Sequence, residues 1–97
     1  MPSYELRVHS AERETLADPN IDSDRIIETL QEVAATRGVL AHPKAEELED
    51  TDIIKVRTGD YRTFCKHDGR FLDVLMIRHR KNAYRDLDTA KRRAGEI

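Results

Sequence analysis

The spacing of apolar residues divides the first half of the chain into one strand and two helices. Residues 4–8 alternate apolar and charged side chains, as a half-buried strand does. A short helix is predicted after Ser10, which can cap it. A second helix is predicted from Asp22 or Ser23 to Arg37, because apolar residues there recur every three or four positions.

The second half of the chain predicts three strands and a final helix. Strands are expected at 53–57, 61–66 and 71–77, and the last is apolar enough to be covered on both faces. A helix over 82–94, capped by its first residue, follows them. The segment 39–51, between the two halves, predicts a loop or one irregular turn of helix.

The predicted order of elements is β-α-α-β-β-β-α, which is an α+β fold. Sequential strands joined by short turns favour a mainly antiparallel sheet, with the helices packed on one of its faces. Ninety-seven residues suffice for one domain, so residues 1–97 are predicted to form a single unit.

Composition narrows the class of protein. Hydrophobic residues make up 38% and charged residues 37% of the chain, which is typical of a soluble globular domain. No apolar run approaches the roughly 18 residues that span a bilayer. The opening MPSYELRVHS has no apolar secretory core, so a cytoplasmic protein without membrane contact is expected. The single Cys65 excludes an internal disulfide and a cysteine metal cluster.

Charge is divided unequally between the two halves. Residues 1–52 contain 5 Lys and Arg against 13 Asp and Glu, whereas residues 53–97 contain 12 against 6, so the halves carry −8 and +6. This segregation is either solvated charge without a role or a basic face for an anion such as nucleic acid.

Alternation along the strands gathers the cations on one face of the predicted sheet. The opposite positions of these strands are expected in the core, namely Ile54, Val56, Tyr61 and Cys65. Five cations then share the other face and would form a phosphate-binding surface. They are Lys55, Arg57, Arg62, Arg78 and Arg80.

Other side chains near these cations have alternative roles. Phe64 shares the face of Arg62, where its ring would either stack on a base or pack beneath a partner. Histidine is a common acid or base near neutral pH, but alternation turns His79 away from the cations. No metal site is expected, because the remaining histidines lie in unrelated segments, at His9, His42 and His67.

One long segment resembles a known family. The RelE-type toxins of the RelE/ParE superfamily have a C-terminal half similar to residues 52–85, DIIKVRTGDYRTFCKHDGRFLDVLMIRHRKNAYR. The landmarks are GDYR, a hairpin, and an apolar strand that runs into RHRKNAYR. That family's opening strand and first helix also resemble residues 4–18, YELRVHSAERETLAD, so the resemblance covers about residues 3–86. It implies a small α+β domain of the predicted order.

The resemblance also implies an activity, which is endoribonucleolytic cleavage of messenger RNA, on the ribosome in RelE proper. Arg62 matches a phosphate-contacting arginine of the transition state, and Arg78 matches one that acts as general acid or stabilises charge. Tyr84 matches a tyrosine that stacks on a base or orients the nucleophile, and Lys55 matches a lysine that acts as base or stabilises charge. Further RNA contacts are expected at Arg57, Arg80, Lys81 and Phe64.

These residue types suit cleavage by the RNA's own 2′-hydroxyl. RNA supplies the nucleophile, so the reaction calls for neither a metal nor a cofactor. Arginines would stabilise the extra charge of the transition state, and a tyrosine ring would stack on a base. Because neighbouring cations favour loss of a proton, Lys55 is a candidate base. Ile53 stands where the family commonly has a second lysine.

The resemblance implies partners as well. A cognate acidic, RelB-like antitoxin, absent from this chain, would neutralise the toxin in a hetero-oligomer, and messenger RNA and the ribosome would be its targets. Two alternatives are a ParE-type toxin that poisons DNA gyrase and a degenerate toxin that only binds its antitoxin. The joint presence of Arg62, Arg78 and Tyr84 favours the nuclease branch.

Overall fold

Five strands and three helices make up the fold in the computed structural model, which describes residues 4–36 and 38–96. The predicted α+β class and order are confirmed, with one strand added. Short 3-10 turns at Ser10–Glu12 and Val39–Ala41 precede α1 and β2. The elements are β1 (Glu5–Val8), α1 (Arg13–Ala17), α2 (Ser23–Ala35), β2 (Ala45–Glu47), β3 (Ile53–Thr58), β4 (Tyr61–His67), β5 (Phe71–His79) and α3 (Leu87–Gly95).

One sheet contains all five strands, in the order β1-β5-β4-β3-β2. β1 runs parallel to β5, and the other neighbouring strands are antiparallel. The antiparallel strands need only short turns, whereas the parallel pair needs a long crossover, which the intervening helices and strands provide. Six of the nine residues of β5 are buried, because β5 lies between β1 and β4 and is covered on both faces.

Two hydrophobic clusters lie on opposite faces of this sheet. On one face, α2 packs its apolar side chains against the strands; its buried residues there are Ile26, Leu30, Val33 and Ala34. On the other face, α3 packs Ala90 and Ala94 against a cluster that includes Phe64, Leu75 and Met76. Helices were expected on one face only; α2 meets that expectation, and α3 covers part of the second face.

A β-bulge in β5 decides which face its last residues occupy. Phe64 of β4 pairs with Met76, and the next residue, Cys65, pairs with Val74, so Leu75 of β5 has no partner in β4. Leu75 and Met76 therefore both enter the cluster beneath α3. Beyond the bulge, Arg78 lies directly opposite Arg62 and shares its face.

β2 is a short edge strand that the local sequence does not predict. The segment 39–51 predicts a loop or one irregular turn of helix. A 3-10 turn does form at Val39–Ala41, yet three later residues pair with β3 and place Glu46 opposite Lys55. Charged residues on a short edge strand protect it against pairing with another chain. Pairing with β3 therefore overrides the polar character of the segment.

Two helix boundaries also differ from the prediction. The last helix begins at Leu87 rather than at residue 82, because residues 80–86 form successive turns. α2 ends at Ala35, and its predicted terminus, Arg37, lies outside the described residues. Within the ranges that the structure describes, no helix is long and apolar enough to cross a membrane.

A buried carboxylate, Glu12, connects α1, β5 and α3. Its side chain is 2% exposed, and Oε1 accepts hydrogen bonds from Ile77 N and Arg78 Nη1, both at 2.8 Å. Oε2 accepts from Arg93 Nη1 at 2.8 Å, and Arg93 also donates to Leu75 O at 2.8 Å. β1 pairs with β5 only as far as Val74. Beyond it, the side chains of Glu12 and Arg93 provide hydrogen-bond partners for Ile77 N and Leu75 O in place of a neighbouring strand.

Glu12→Gln leaves two arginines beside a neutral amide. We expect the free energy of unfolding to fall by about 3–5 kcal/mol, the usual effect of breaking a buried ion pair. Urea unfolding followed by circular dichroism measures the change. Glu14→Gln removes the same charge from an exposed position of α1 and is expected to change stability by less than about 0.5 kcal/mol. Equal stabilities of the two variants would contradict a structural role for Glu12.

Candidate functional site

Three arginines form a row across the sheet, on the face that carries α3. Arg57, Arg62 and Arg78 lie directly opposite one another on β3, β4 and β5. Residues in such positions have Cβ atoms about 4.5–5.5 Å apart, and like charges there repel. Counter-charges from the protein or a bound anion would therefore stabilise the row.

A cavity of about 170 Å³ lies beside this row. Arg57 and Arg62 line it together with Lys55, and its other lining residues come from the chain around β2, at Pro43, Lys44 and Glu46. The lining thus combines four cations with one carboxylate. Such an excess of positive charge in a small hollow suits an anion of the size of a phosphate group.

The guanidinium of Arg62 is fixed by the turn between β3 and β4. Its Nη1 donates to Gly59 O at 2.8 Å and to Tyr61 O at 3.0 Å. Gly59 adopts a φ of 56°, which a tight turn of this kind requires. Nε and Nη2 make no hydrogen bond in the part of the chain that the structure describes. One edge of the guanidinium thus remains able to bind two oxygens of a phosphate.

Lys55 and Tyr84 form a contact at the same site. Lys55 Nζ donates to Tyr84 Oη at 2.7 Å and lies 5.3 Å from the centre of the ring. Nζ also lies 3.6 Å from Glu46 Oε2. Tyr84 belongs to the turns before α3 and is 59% exposed, so its ring is accessible to a base.

Arg78 is compensated by carboxylates. Its Nε donates to Asp86 Oδ2 at 3.1 Å, and its Nη1 donates to Glu12 Oε1 and to Ile77 O, both at 2.8 Å. The side chain is 25% exposed. Arg78 therefore contributes a fixed hydrogen-bond donor to the row. Most of the row's uncompensated positive charge comes from Arg57 and Arg62.

Two expected RNA contacts lie at the end of β5. Arg80 Nε is 3.6 Å from Asp60 Oδ1, and its side chain is largely exposed, as is Lys81. The expectation for Phe64 is corrected: its ring is fully buried in the cluster beneath α3 and offers no face to a base. Alternation placed Phe64 beside Arg62 correctly, but the cover that α3 provides is a tertiary feature.

Several residues at the site were not found from the sequence. Glu46 of β2 and Lys44, the residue before β2, line the cavity because β2 pairs with β3, and this pairing has no local signal in the sequence. Glu46 lies in an acidic run typical of a solvated loop. Asp86 and Glu12 reach Arg78 from segments that are 8 and 66 residues away. Only Asp86, eight residues from Arg78, could have been suspected from its closeness in the sequence.

Other candidate groups are less suited to an anion. In a larger hollow of about 440 Å³, Arg7 is paired with Asp73, and His9 Nε2 lies 3.4 Å from Glu96 Oε2. Cys65 is fully buried, and burial raises the pKa of its thiol, so it stays protonated and is not a nucleophile. Among residues 4–36 and 38–96, no three His, Cys, Asp or Glu side chains form a group that could hold a metal ion.

Comparison with known proteins bears on the fold. No protein-family model matches the chain, and no curated protein matches it significantly. Among solved structures, it resembles a chain in the crystal structure of the toxin–antitoxin complex RelBE2 from Mycobacterium tuberculosis. The TM-score is 0.55 at 23% identity, over 81% of this chain and 93% of that chain. The chain has a RelE-like fold.

The RelE-like fold agrees with the resemblance found in the sequence. That resemblance covered about residues 3–86 and implied a small α+β domain, and the described structure contains one. A likeness in fold does not carry an activity with it, since one fold supports many functions. Function depends instead on the cavity and the side chains around it.

Two substitutions of Tyr84 separate the role of its ring from that of its hydroxyl. Tyr84→Ala removes the exposed ring, and we expect it to weaken binding of single-stranded RNA by about 1–3 kcal/mol, the range for base stacking. Tyr84→Phe removes only the acceptor for Lys55 and is expected to bind as the wild type does. Fluorescence anisotropy with a labelled oligoribonucleotide measures both, and an equal loss in both would assign the effect to the hydroxyl.

Proposed function

We propose that this protein is the toxin of a type II toxin–antitoxin pair and cleaves messenger RNA on the ribosome by 2′-hydroxyl attack. The cavity lined by Lys55, Arg57 and Arg62 carries the proposal, because it combines phosphate-binding groups with the exposed ring of Tyr84 nearby. The RelE-like fold and the sequence resemblance support it. The reaction is proposed to take place in the cytoplasm.

The arginines bind and stabilise the reacting phosphate. Arg62 contacts two of its oxygens through Nε and Nη2, and Arg57 adds charge from the neighbouring strand. When the 2′-oxygen attacks, the phosphate gains negative charge, and groups placed to meet that charge lower the barrier. Arg78 stabilises the negative charge on the 5′-oxygen as the P–O5′ bond breaks, and that oxygen takes its proton from solvent water. Tyr84 holds a neighbouring base by stacking.

The proton of the 2′-hydroxyl passes to Glu46. Lys55 already donates to Tyr84 Oη and lies beside a carboxylate, an arrangement that suits a charged lysine. Of its two expected roles, Lys55 therefore takes that of charge stabiliser. Glu46 lines the same cavity and is exposed, so its carboxylate can reach and accept the proton.

An antitoxin is the proposed protein partner. The structure that this fold resembles is a toxin–antitoxin complex, and the cationic face described above suits an acidic, partly disordered segment that folds on binding. Such a segment would bring carboxylates to Arg57 and Arg62, where the phosphate is proposed to bind. Neutralisation would then follow from competition for the same cations.

Arg62→Ala removes the fixed guanidinium from the cavity. We expect message cleavage, mapped by primer extension in a purified translation reaction, to slow by about 10²–10³-fold, the usual effect of removing one such donor. Arg13→Ala is the matched control, because it removes the same charge from an exposed position on α1. Circular dichroism checks that both variants are folded.

Other outcomes of this experiment favour the alternatives. Growth arrest by the wild type with the message intact would contradict the nuclease proposal and favour gyrase as the target. The absence of both arrest and cleavage would indicate a degenerate toxin that only binds its antitoxin. Arrest and cleavage that survive in Arg62→Ala would place the active site elsewhere.

Glu46→Gln keeps the shape of the side chain but removes the proton acceptor. We expect the single-turnover cleavage rate to fall by about 10²–10⁴-fold, the range of general acid–base catalysis, with RNA affinity maintained. Glu47→Gln, the next residue of β2, is the matched control, because alternation turns it to the opposite face. A faster rate in Glu46→Gln would instead mark Glu46 as a competitor of the phosphate.

A further inference from the structure

Protein groups hold Arg78 on two of its three nitrogens. Nε donates to Asp86 at 3.1 Å, and the two N–H groups of Nη1 donate to Glu12 and to Ile77 O, both at 2.8 Å. Nη2 makes no hydrogen bond within residues 4–36 and 38–96. A guanidinium has five N–H donors, so two remain, and both are on Nη2.

The groups that hold Arg78 are themselves fixed. Glu12 is buried and accepts further hydrogen bonds from Ile77 N at 2.8 Å, Arg93 at 2.8 Å and Thr15 Oγ1 at 3.3 Å. Asp86 is the N-cap residue that immediately precedes α3, and its carbonyl accepts from Thr89 N at 2.9 Å. Two separate elements therefore hold the same guanidinium.

We infer that Glu12 and Asp86 are positioning residues, which hold Arg78 in one orientation and present Nη2 to the reacting phosphate. This inference rests on the proposed function. Part of the charge of Arg78 is offset by Glu12, which it shares with Arg93, and by Asp86, which it shares with Arg85. Its main contribution is therefore a directed pair of hydrogen bonds and not general attraction for RNA. Binding depends instead on Lys55, Arg57 and Arg62.

The expected signature is a loss of rate without a loss of affinity. A donor that rotates freely meets the phosphate in the correct geometry only part of the time, and small errors in placement slow a reaction by large factors. RNA binding is insensitive to the same change, because other cations supply it. Substitution of a residue that only supports the fold would lower the cleavage rate and the RNA binding together, in proportion to the fraction of protein that is unfolded.

Asp86→Ala is the variant of choice, because Asp86 is partly exposed and its loss leaves the buried Glu12 in place. We expect the single-turnover cleavage of a labelled message on ribosomes to slow by about 10–100-fold, with affinity for an oligoribonucleotide unchanged. Asp86→Asn keeps an acceptor for Nε and is expected to restore most of the rate. Asp88→Ala removes the same charge from an exposed position of α3 and is expected to leave the rate unchanged.

A double variant tests whether Asp86 acts through Arg78. In an Arg78→Ala background, Asp86→Ala has no guanidinium to release, so we expect no further loss of rate. A further loss as large as that in the wild-type background would overturn the inference. So would an equal loss in Asp86→Ala and Asp88→Ala.

A measurement that needs no cleavage separates this inference from the proposed function. Nitrogen-15 NMR of arginine side chains is expected to show a distinct, slowly exchanging Nε–H of Arg78 in the wild type and in Asp88→Ala, but not in Asp86→Ala. If the wild type does not cleave RNA, the proposed function is wrong, and the spectrum still decides whether Arg78 is held. A freely averaging Arg78 resonance in the wild type would overturn the inference.

Discussion

The carboxylate of Glu12 binds the backbone of β5 at the point where β1 no longer pairs with it. Where β1 has ended, Ile77 N donates to Glu12, and Leu75 O accepts from Arg93, which is paired with the same carboxylate. Buried backbone groups without partners are rare in folded proteins, so this ion pair allows β5 to continue beyond β1. The same carboxylate holds Arg78. The end of β5, α3 and Arg78 of the candidate site are therefore all held by one buried group.

The extension of β5 completes a row of three arginines, and each of them has a different environment. Arg78 is held by two carboxylates, and Arg62 is held by two carbonyls that leave its charge uncompensated. Arg57 is exposed on β3. The two arginines without a carboxylate partner among the described residues, Arg57 and Arg62, are also the two that line the cavity, so positive charge is concentrated at that end of the row. A chain with a net charge of −2 can in this way present a local site for an anion.

The segregation of charge along the sequence is partly cancelled in the fold. Acidic residues of the first half pair with cations of the second, as Glu46 does with Lys55 and Asp52 does with Lys66, both at 3.6 Å. Glu12 pairs with Arg78 and Arg93. The acidic half therefore neutralises some cations of the basic half, such as Arg93 of α3, and leaves others, such as Arg62, without a carboxylate partner in the described part of the chain. Counting charges in the sequence could not distinguish the two groups.

The sequence by itself determined the α+β class, the order of the predicted elements and the alternation that joins Lys55, Arg57 and Arg62, because these follow from local spacing of apolar residues. Its resemblance to RelE-type toxins implied the fold that the structure has. Tertiary structure decided what depends on distant segments: the pairing of β2 that brings Glu46 to the cavity, and the burial of Phe64 under α3. It also decided the bulge that sets Arg78 opposite Arg62, since a register shift arises from packing against the neighbouring strand and leaves no periodic signal.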